Sequence, residues 1–282
     1  MLRKLTEEAE CLRALDGLSH EAAAQVARAT RPDAIKNALS GRWLGHTVHP
    51  MLTDVPIGAW TLASVLDVTA GRAGAASARR LVGIGLIATL PAAATGASDW
   101  SDTSGTSQRV GLVHALCNVT ASAVQAASWV ARRRGRRGVG MALGGVGLGI
   151  TACAAYLGGY LTLVRGVGVD HTAFQEAVTE WTDVGPSSCV SDGEPLRVMA
   201  GGVPVVLVRH EGVLYALSAT CTHAGGPLDG GEVTDGCIRC PWHASVFRLA
   251  DGKVMRGPAT VDEPRWEVKD DGGRVYVRSA GS

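Results

Sequence analysis

The chain has 282 residues, length enough for about two domains. Its 27 basic and 26 acidic residues nearly cancel, which argues against a general nucleic-acid binder. Hydrophobic residues make up 46%, charged residues 19%, and the mean hydropathy is +0.14, too apolar for a disordered chain or an ordinary soluble one, so part of it is expected in lipid. The cysteine count of 7 is odd, which rules out a complete disulfide framework and favours free thiols or metal ligands.

Residues 1–47 are read as an amphipathic helical tail at the surface. Leu5, Leu12 and Leu15 mark one helical face, and Ser19 with Glu21 opens a second helix. No basic-then-apolar-then-small leader opens the segment. Residues 48–168 are read as a four-helix transmembrane domain. Four apolar stretches, 51–70, 81–97, 110–131 and 139–164, each approach or exceed the ~20 residues that span a bilayer, and their apolar character is not confined to one face. The last carries two small-x-x-x-small pairs, Gly140/Gly144 and Gly145/Gly149, which permit close helix approach. Gly83 to Ala88 fits a dinucleotide-binding expression, but it lies inside a span with no strand before it and is set aside.

Helix parity places His46, His49, Asp54, Asp99, Asp102 and His114 on one side of the bilayer, the side from which the C-terminal region leaves the fourth span. Ionisable groups in spans are costly and raise functional hypotheses. His49 and His114 are placed to ligate a haem b or to contact a quinone headgroup; the plainer alternative is that both hydrogen-bond water or loop carbonyls. Asp67, late in span one on the other side, reads as a capped or solvated end. Loops one and three hold eight arginines against five basic residues on the opposite side, which leans towards a C-terminal domain outside the cell membrane. Arg136-Arg137 before an apolar span points the same way, and the charged tail, which would need export, points against it.

After about Asp170 the composition turns to β-type. Val203 to Arg209 and Val213 to Leu217 flank Glu211-Gly212, and Trp266 to Lys269 and Val275 to Arg278 flank Asp270 to Gly273, so residues 180–282 are expected to form antiparallel hairpins in a small all-β domain. Within it stand Cys221-Thr222-His223 and Cys240-Pro241-Trp242-His243, a C-x-H-x16-C-x2-H pattern followed in each case by turn residues. One thiol and one imidazole from each of two loops suit a two-iron cluster whose irons take two sulfurs and two nitrogens respectively. Zinc uses the same ligand types, but zinc fingers place their two histidines together.

CTHAGGPL and CPWHASVF resemble the cluster-binding loops of Rieske-type [2Fe–2S] proteins, and Gly257-Pro258 resembles that family's third, proline-bearing loop. The resemblance implies that Cys221 and Cys240 hold one iron, that His223 and His243 hold the other, and that Ser245 bonds to cluster sulfur. Gly226 and Trp242 stand where the bc-complex Rieske proteins carry a disulfide, and Phe247 where they carry a tyrosine. Fewer hydrogen bonds to sulfur imply a potential below the bc-complex type and a ferredoxin-like subtype. In the membrane half, His49-Pro50-Met51, Pro56 to Trp60 and Gly158 to Val169 resemble a bacterial four-span membrane domain of unknown function.

The expected protein is therefore a multi-pass α-helical bundle followed by a Rieske domain. It is read as a membrane-anchored carrier of single electrons, an electron-transfer component rather than a self-contained catalyst. Its expected partners are membrane lipid, a redox protein and a quinone, and nucleic acid is not among them. A redox-sensing or zinc-stabilised anchor is the alternative. An oxygenase is disfavoured because no further segment is large enough for a mononuclear iron domain.

Overall fold

The computed structural model describes residues 2–281, apart from the side chains of Leu2 and Leu5. Among these residues there are seven α-helices: α1 (Leu2–Cys11), α2 (Asp16–Ala29), α3 (Asp33–Ser40), α4 (His49–Thr69), α5 (Ala75–Ser101), α6 (Gly105–Arg133) and α7 (Arg137–Leu163). The chain separates into two compact units, one of residues 1–30 and 48–167, the other of residues 31–47 and 168–282. The N-terminal segment is thus divided between them. Leu5, the first of its three expected face residues, falls outside the described side chains; Leu12 is exposed and Leu15 half-buried.

The first unit is built on α4 to α7, four helices long and apolar enough to cross a membrane. The 27 residues of α5 or α7 rise about 40 Å, more than the ~30 Å hydrocarbon thickness. Large apolar side chains such as Val68, Ile87, Leu90 and Val119 are exposed, while the bundle interior, besides Trp60, Val82, Val110 and Leu157, holds many small or polar residues, among them Ser128, Gln125, Thr151, Gly140, Gly144 and Gly147. That inverted distribution suits lipid as the surrounding medium. The chain is accordingly a multi-pass membrane protein. A Cβ at Gly140 would meet Arg132 Cγ at 2.5 Å and one at Gly144 would meet Arg132 Nη2 at 3.2 Å, whereas Gly145 and Gly149 face open space. Only the first of the two expected glycine pairs packs against a helix.

Asp67 is not a solvated end. It is buried against Arg132, whose Nη1 donates to Asp67 Oδ1 at 3.0 Å, and Arg137 bonds to its backbone carbonyl at 3.0 Å. The opposing charge of Arg132 makes a buried carboxylate tolerable there. At the other end α1 and α2 tie onto α6 and α7: Arg109 Nε donates to Asp16 Oδ1 at 2.6 Å, the Tyr160 hydroxyl donates to Glu10, and Ala9 packs on Val110 and Leu157.

Among the described residues the second unit holds ten strands: β1 (Thr182–Pro186), β2 (Leu196–Ala200), β3 (Val203–His210), β4 (Val213–Ser218), β5 (Glu232–Thr234), β6 (Cys237–Arg239), β7 (Val246–Arg248), β8 (Val254–Arg256), β9 (Arg265–Asp271) and β10 (Arg274–Ser279). They form two antiparallel sheets, β1-β10-β9-β4-β3-β2 and β5-β6-β7-β8. Both expected hairpins are present. Glu211-Gly212 and Gly272-Gly273 carry positive φ at both central positions, the geometry that matches strand twist, so β9 runs on to Asp271 and its turn is two residues rather than four. The apolar run of β3 serves two cores. Val206 and Val208 face the small sheet's Ile238, Phe247 and Val254, and Val205 and Leu207 face Trp266, Val275 and Val277. A strand covered on both faces reads as a continuous apolar run rather than an alternating one.

Candidate metal centre

The loop after β4 and the loop between β6 and β7 close by the same hydrogen bonds. Cys221 N–H donates to Gly226 O at 2.8 Å and Gly225 N–H to Cys221 O at 2.8 Å; Cys240 N–H donates to Ser245 O at 2.8 Å and Ala244 N–H to Cys240 O at 3.1 Å. In each loop the residue four after the cysteine turns the chain through positive φ, Gly225 at 74° and Ala244 at 58°. The sequence signals the first of these turns by its glycine and hides the second behind an alanine.

These two loops bring Cys221, His223, Cys240 and His243 together. The imidazoles lie 5.0 Å apart between centroids, and both cysteines are buried in the core shared by the two sheets. The Cys221 and Cys240 side chains hydrogen-bond to each other, which holds the Cys240 thiol down at about 6 and pushes Cys221 upward. Two buried thiols this close suit a shared cation, whose binding displaces their protons. Backbone N–H groups of Trp242 and His243 point at the Cys240 sulfur, and that of His223 at Cys221. Burial, then the neighbouring His243, Lys36 and His171, hold His223 down at about 3, so its ring nitrogens stay uncharged and able to ligate.

The donors fit a [2Fe–2S] cluster: two thiols, two imidazoles, and backbone N–H groups aimed at sulfur. The cradle also needs a bare backbone beside them. A Cβ at Gly226 would sit 3.0 Å from Cys240 Sγ and 3.1 Å from the Trp242 ring. Ser245 is buried, and its Oγ accepts from Ala259 N–H at 3.0 Å, joining the second loop to the third. The hydroxyl hydrogen remains available to donate. Gly257-Pro258 lies in that third loop, and Cys237 is a residue of β6.

Helix α3 adds contacts that spacing did not reveal. Asn37 Oδ1 accepts from Gly257 N–H at 2.9 Å, Arg256 Nε pairs with Asp33 Oδ1 at 2.7 Å, and Arg42 donates to Val254 O at 2.6 Å. Lys36, on the same helix, is buried close enough to His223 to depress its pKa. Glu263 is buried too. Its Oε2 accepts from Thr222 N–H at 3.1 Å, its Oε1 has no hydrogen-bond partner among the described residues, and burial pushes its carboxyl well above the ordinary range. No local motif marks Lys36, His171 or Glu263, because only tertiary folding carries them to the loops. In the membrane unit His49 and His114 are also brought together, with centroids 6.4 Å apart.

The Rieske [2Fe-2S] domain family matches residues 180–269, and the predicted membrane protein family DUF2231 matches residues 45–171. The chain is 33% identical over 91 residues to human apoptosis-inducing factor 3, covering 32% of this chain and 15% of that protein. It is 35% identical to the cytochrome b6-f complex iron-sulfur subunit of Chlorobaculum tepidum, covering 34% of this chain and 52% of that one. With the anthranilate 1,2-dioxygenase ferredoxin subunit of Burkholderia cepacia it shares 27% identity, covering 36% of this chain and 95% of the ferredoxin. Among solved structures, the ferredoxin of carbazole 1,9a-dioxygenase from Nocardioides aromaticivorans is 26% identical, covers 36% of this chain and has a TM-score of 0.35. The chain spans only a small part of the first of these relatives and about half of the second. The two sheets, the paired loops and the four apolar helices agree with the two family matches: this chain joins a DUF2231 membrane domain to a C-terminal Rieske [2Fe-2S] domain.

Proposed function

We propose that the protein is a membrane-anchored one-electron carrier in which Cys221 and Cys240 hold one iron of a [2Fe–2S] cluster and His223 and His243 the other. The observation that carries this reading is the matched hydrogen-bond plan of the two loops, which delivers one thiol and one imidazole each. When bound, the cluster supplies a one-electron couple. The protein's own part is to keep the His223 imidazole neutral, to aim N–H groups at the sulfurs, and to bury the thiols against Phe247 and Ile238. Ser245 fixes the second loop to the third and, through its hydroxyl hydrogen, supports sulfur.

Trp242, beside His243 and 57% exposed, marks the surface where a redox protein docks. The net charge of residues 180–282, 10 basic against 14 acidic, favours a basic partner. The eight arginines of loops one and three favour the Rieske domain outside the cell membrane. With glycine at 226, tryptophan at 242 and phenylalanine at 247, the reduction potential is expected below that of the bc-complex type.

The test is electron paramagnetic resonance on the full chain in detergent, before and after dithionite. A reduced signal of low average g supports the histidine-ligated cluster, and a silent, colourless protein with one zinc would sink it. His223→Cys keeps a cluster and lowers its potential; an unchanged potential contradicts the ligand assignment.

A further inference from the structure

The membrane unit is an internal repeat. His49, Trp60, Ala63 and Asp67 of α4 each precede, by a constant 65 residues, His114, Gln125, Ser128 and Arg132 of α6. Val82, Gly85, Ala92 and Gly96 of α5 precede Gly144, Gly147, Ala154 and Gly158 of α7 at a second constant offset. The contacts repeat with the positions. His49 Nδ1 bonds to Ala92 O at 2.9 Å, and His114 Nδ1 to Ala154 O at 2.8 Å. Trp60 Nε1 donates to Val82 O at 3.3 Å, and Gln125 Nε2 to Gly144 O at 3.1 Å. Gly96 lies beneath the His49 ring as Gly158 does beneath His114, and Gly85 meets Trp60 as Gly147 meets Gln125. The hairpins α4–α5 and α6–α7 are thus related by a pseudo-twofold axis along the bundle. Equivalent residues meet across it at two levels, Asp67 with Arg132 and His49 with His114.

The histidine level has the makings of a ligand site. Helices α4 and α6 face each other across the bundle, each packed on α5 and α7. A carbonyl oxygen only accepts, so each Nδ1 carries the proton and each Nε2 the lone pair, the tautomer that metal-bound histidines adopt when their other nitrogen is tethered. Glycines behind both rings let them seat deep against the neighbouring helix. Among the described residues no third His, Cys, Asp or Glu side chain joins His49 and His114 in a metal-suited group. Two imidazoles therefore complete only a metal that brings its own equatorial donors. Imidazole–metal bonds of about 2.0–2.1 Å, with a ring nitrogen roughly 1.1 Å from its centroid, place two opposed rings about 6.4 Å apart. The observed centroid separation is 6.4 Å. A quinol bonded at both hydroxyls would need the two nitrogens roughly 11 Å apart. Asn118 Nδ2 lies 3.1 Å from His114 Nε2 and 3.1 Å from His114 O, so it can keep the carbonyl while yielding the nitrogen.

We propose that His49 and His114 are the two axial ligands of one haem held on the pseudo-twofold axis between α4 and α6, giving the membrane unit a one-electron centre of its own. The proposal stands apart from the cluster assignment. The test is titration of the purified full chain in detergent with haemin, read by optical spectra, with bound haem counted as pyridine haemochrome. The expected result is one haem per chain with a low-spin bis-imidazole spectrum. His49→Ala and His114→Ala should each abolish that spectrum and weaken uptake about tenfold or more, while His46→Ala should change neither. His114→Met keeps the bulk and an axial donor, so it should shift the bound spectrum and raise the haem potential. Haem uptake that is absent, or identical in both alanine variants, or a His114→Met spectrum like the parent's, overturns the proposal, as does quinone binding at these histidines without haem uptake. The cluster's resonance signal, recorded on the same samples, tells failure here from failure of the carrier reading.

Discussion

At the scale of single residues, the side chains around the cluster loops divide into those that spacing announces and those that only folding supplies. Lys36 is of the second kind. Its ammonium stands near His223, and a cation there favours the added electron, so Lys36→Met should lower the cluster potential in a redox titration while Lys36→Arg retains most of it. Equal potentials for the parent and Lys36→Met would show that the charge is not felt. Glu263 acts through pH. Its folded-state pKa lies above the unfolded value, so folding favours the protonated acid. Stability is then fullest below the ordinary carboxylate range and falls as pH rises through the raised pKa. Glu263→Gln should remove that slope and raise the thermal midpoint near neutral pH. An unaltered pH profile would mean that the carboxyl is relieved by some other group.

At the scale of elements, the four spans were legible because length and all-round apolarity are strong signals, and the two cysteine–histidine loops because their ligands are local in sequence. The repeat within the bundle was not. Its halves preserve contacts rather than residue types: Trp60 and Gln125 both deliver a buried N–H to a neighbouring carbonyl, and one is an indole while the other is an amide. The role of Asp67 was hidden for a related reason, since its partner Arg132 looked like one member of a loop's arginine cluster. Removing Asp67 leaves the buried Arg132 charge uncompensated, at a cost of about 3–5 kcal/mol, while removing Arg132 leaves Asp67 only Arg137, 3.7 Å away. Asp67→Leu and Arg132→Leu alone should each lower the unfolding midpoint in detergent, and the double variant should recover much of the loss. Additive losses would argue that the two side chains do not act as a pair.

For the whole molecule, four spans would return the chain to its starting side, so the N-terminal segment and the Rieske domain are expected on one face of the membrane. The exposed thiols of Cys11 and Cys189 report on it without engineering. With an outward Rieske domain, an impermeant maleimide should label both in intact cells. Labelling of neither until the membrane is permeabilised would place the domain inside, and labelling of one alone would contradict four spans.

The division of residues 1–47 between the two units changes what counts as the Rieske module. A C-terminal fragment cut at residue 168, or at the family boundary of 180, leaves behind Asn37, the hydrogen-bond acceptor for Gly257, and Asp33, the ion-pair partner of Arg256. Such a fragment would carry every sequence motif of the cluster site and still lack part of its wall, so its spectra and potential would describe an incomplete object. Supplied separately, a peptide of residues 31–47 should bind the fragment and restore the missing contacts. The module is therefore discontinuous in sequence, assembled from segments on either side of the membrane domain.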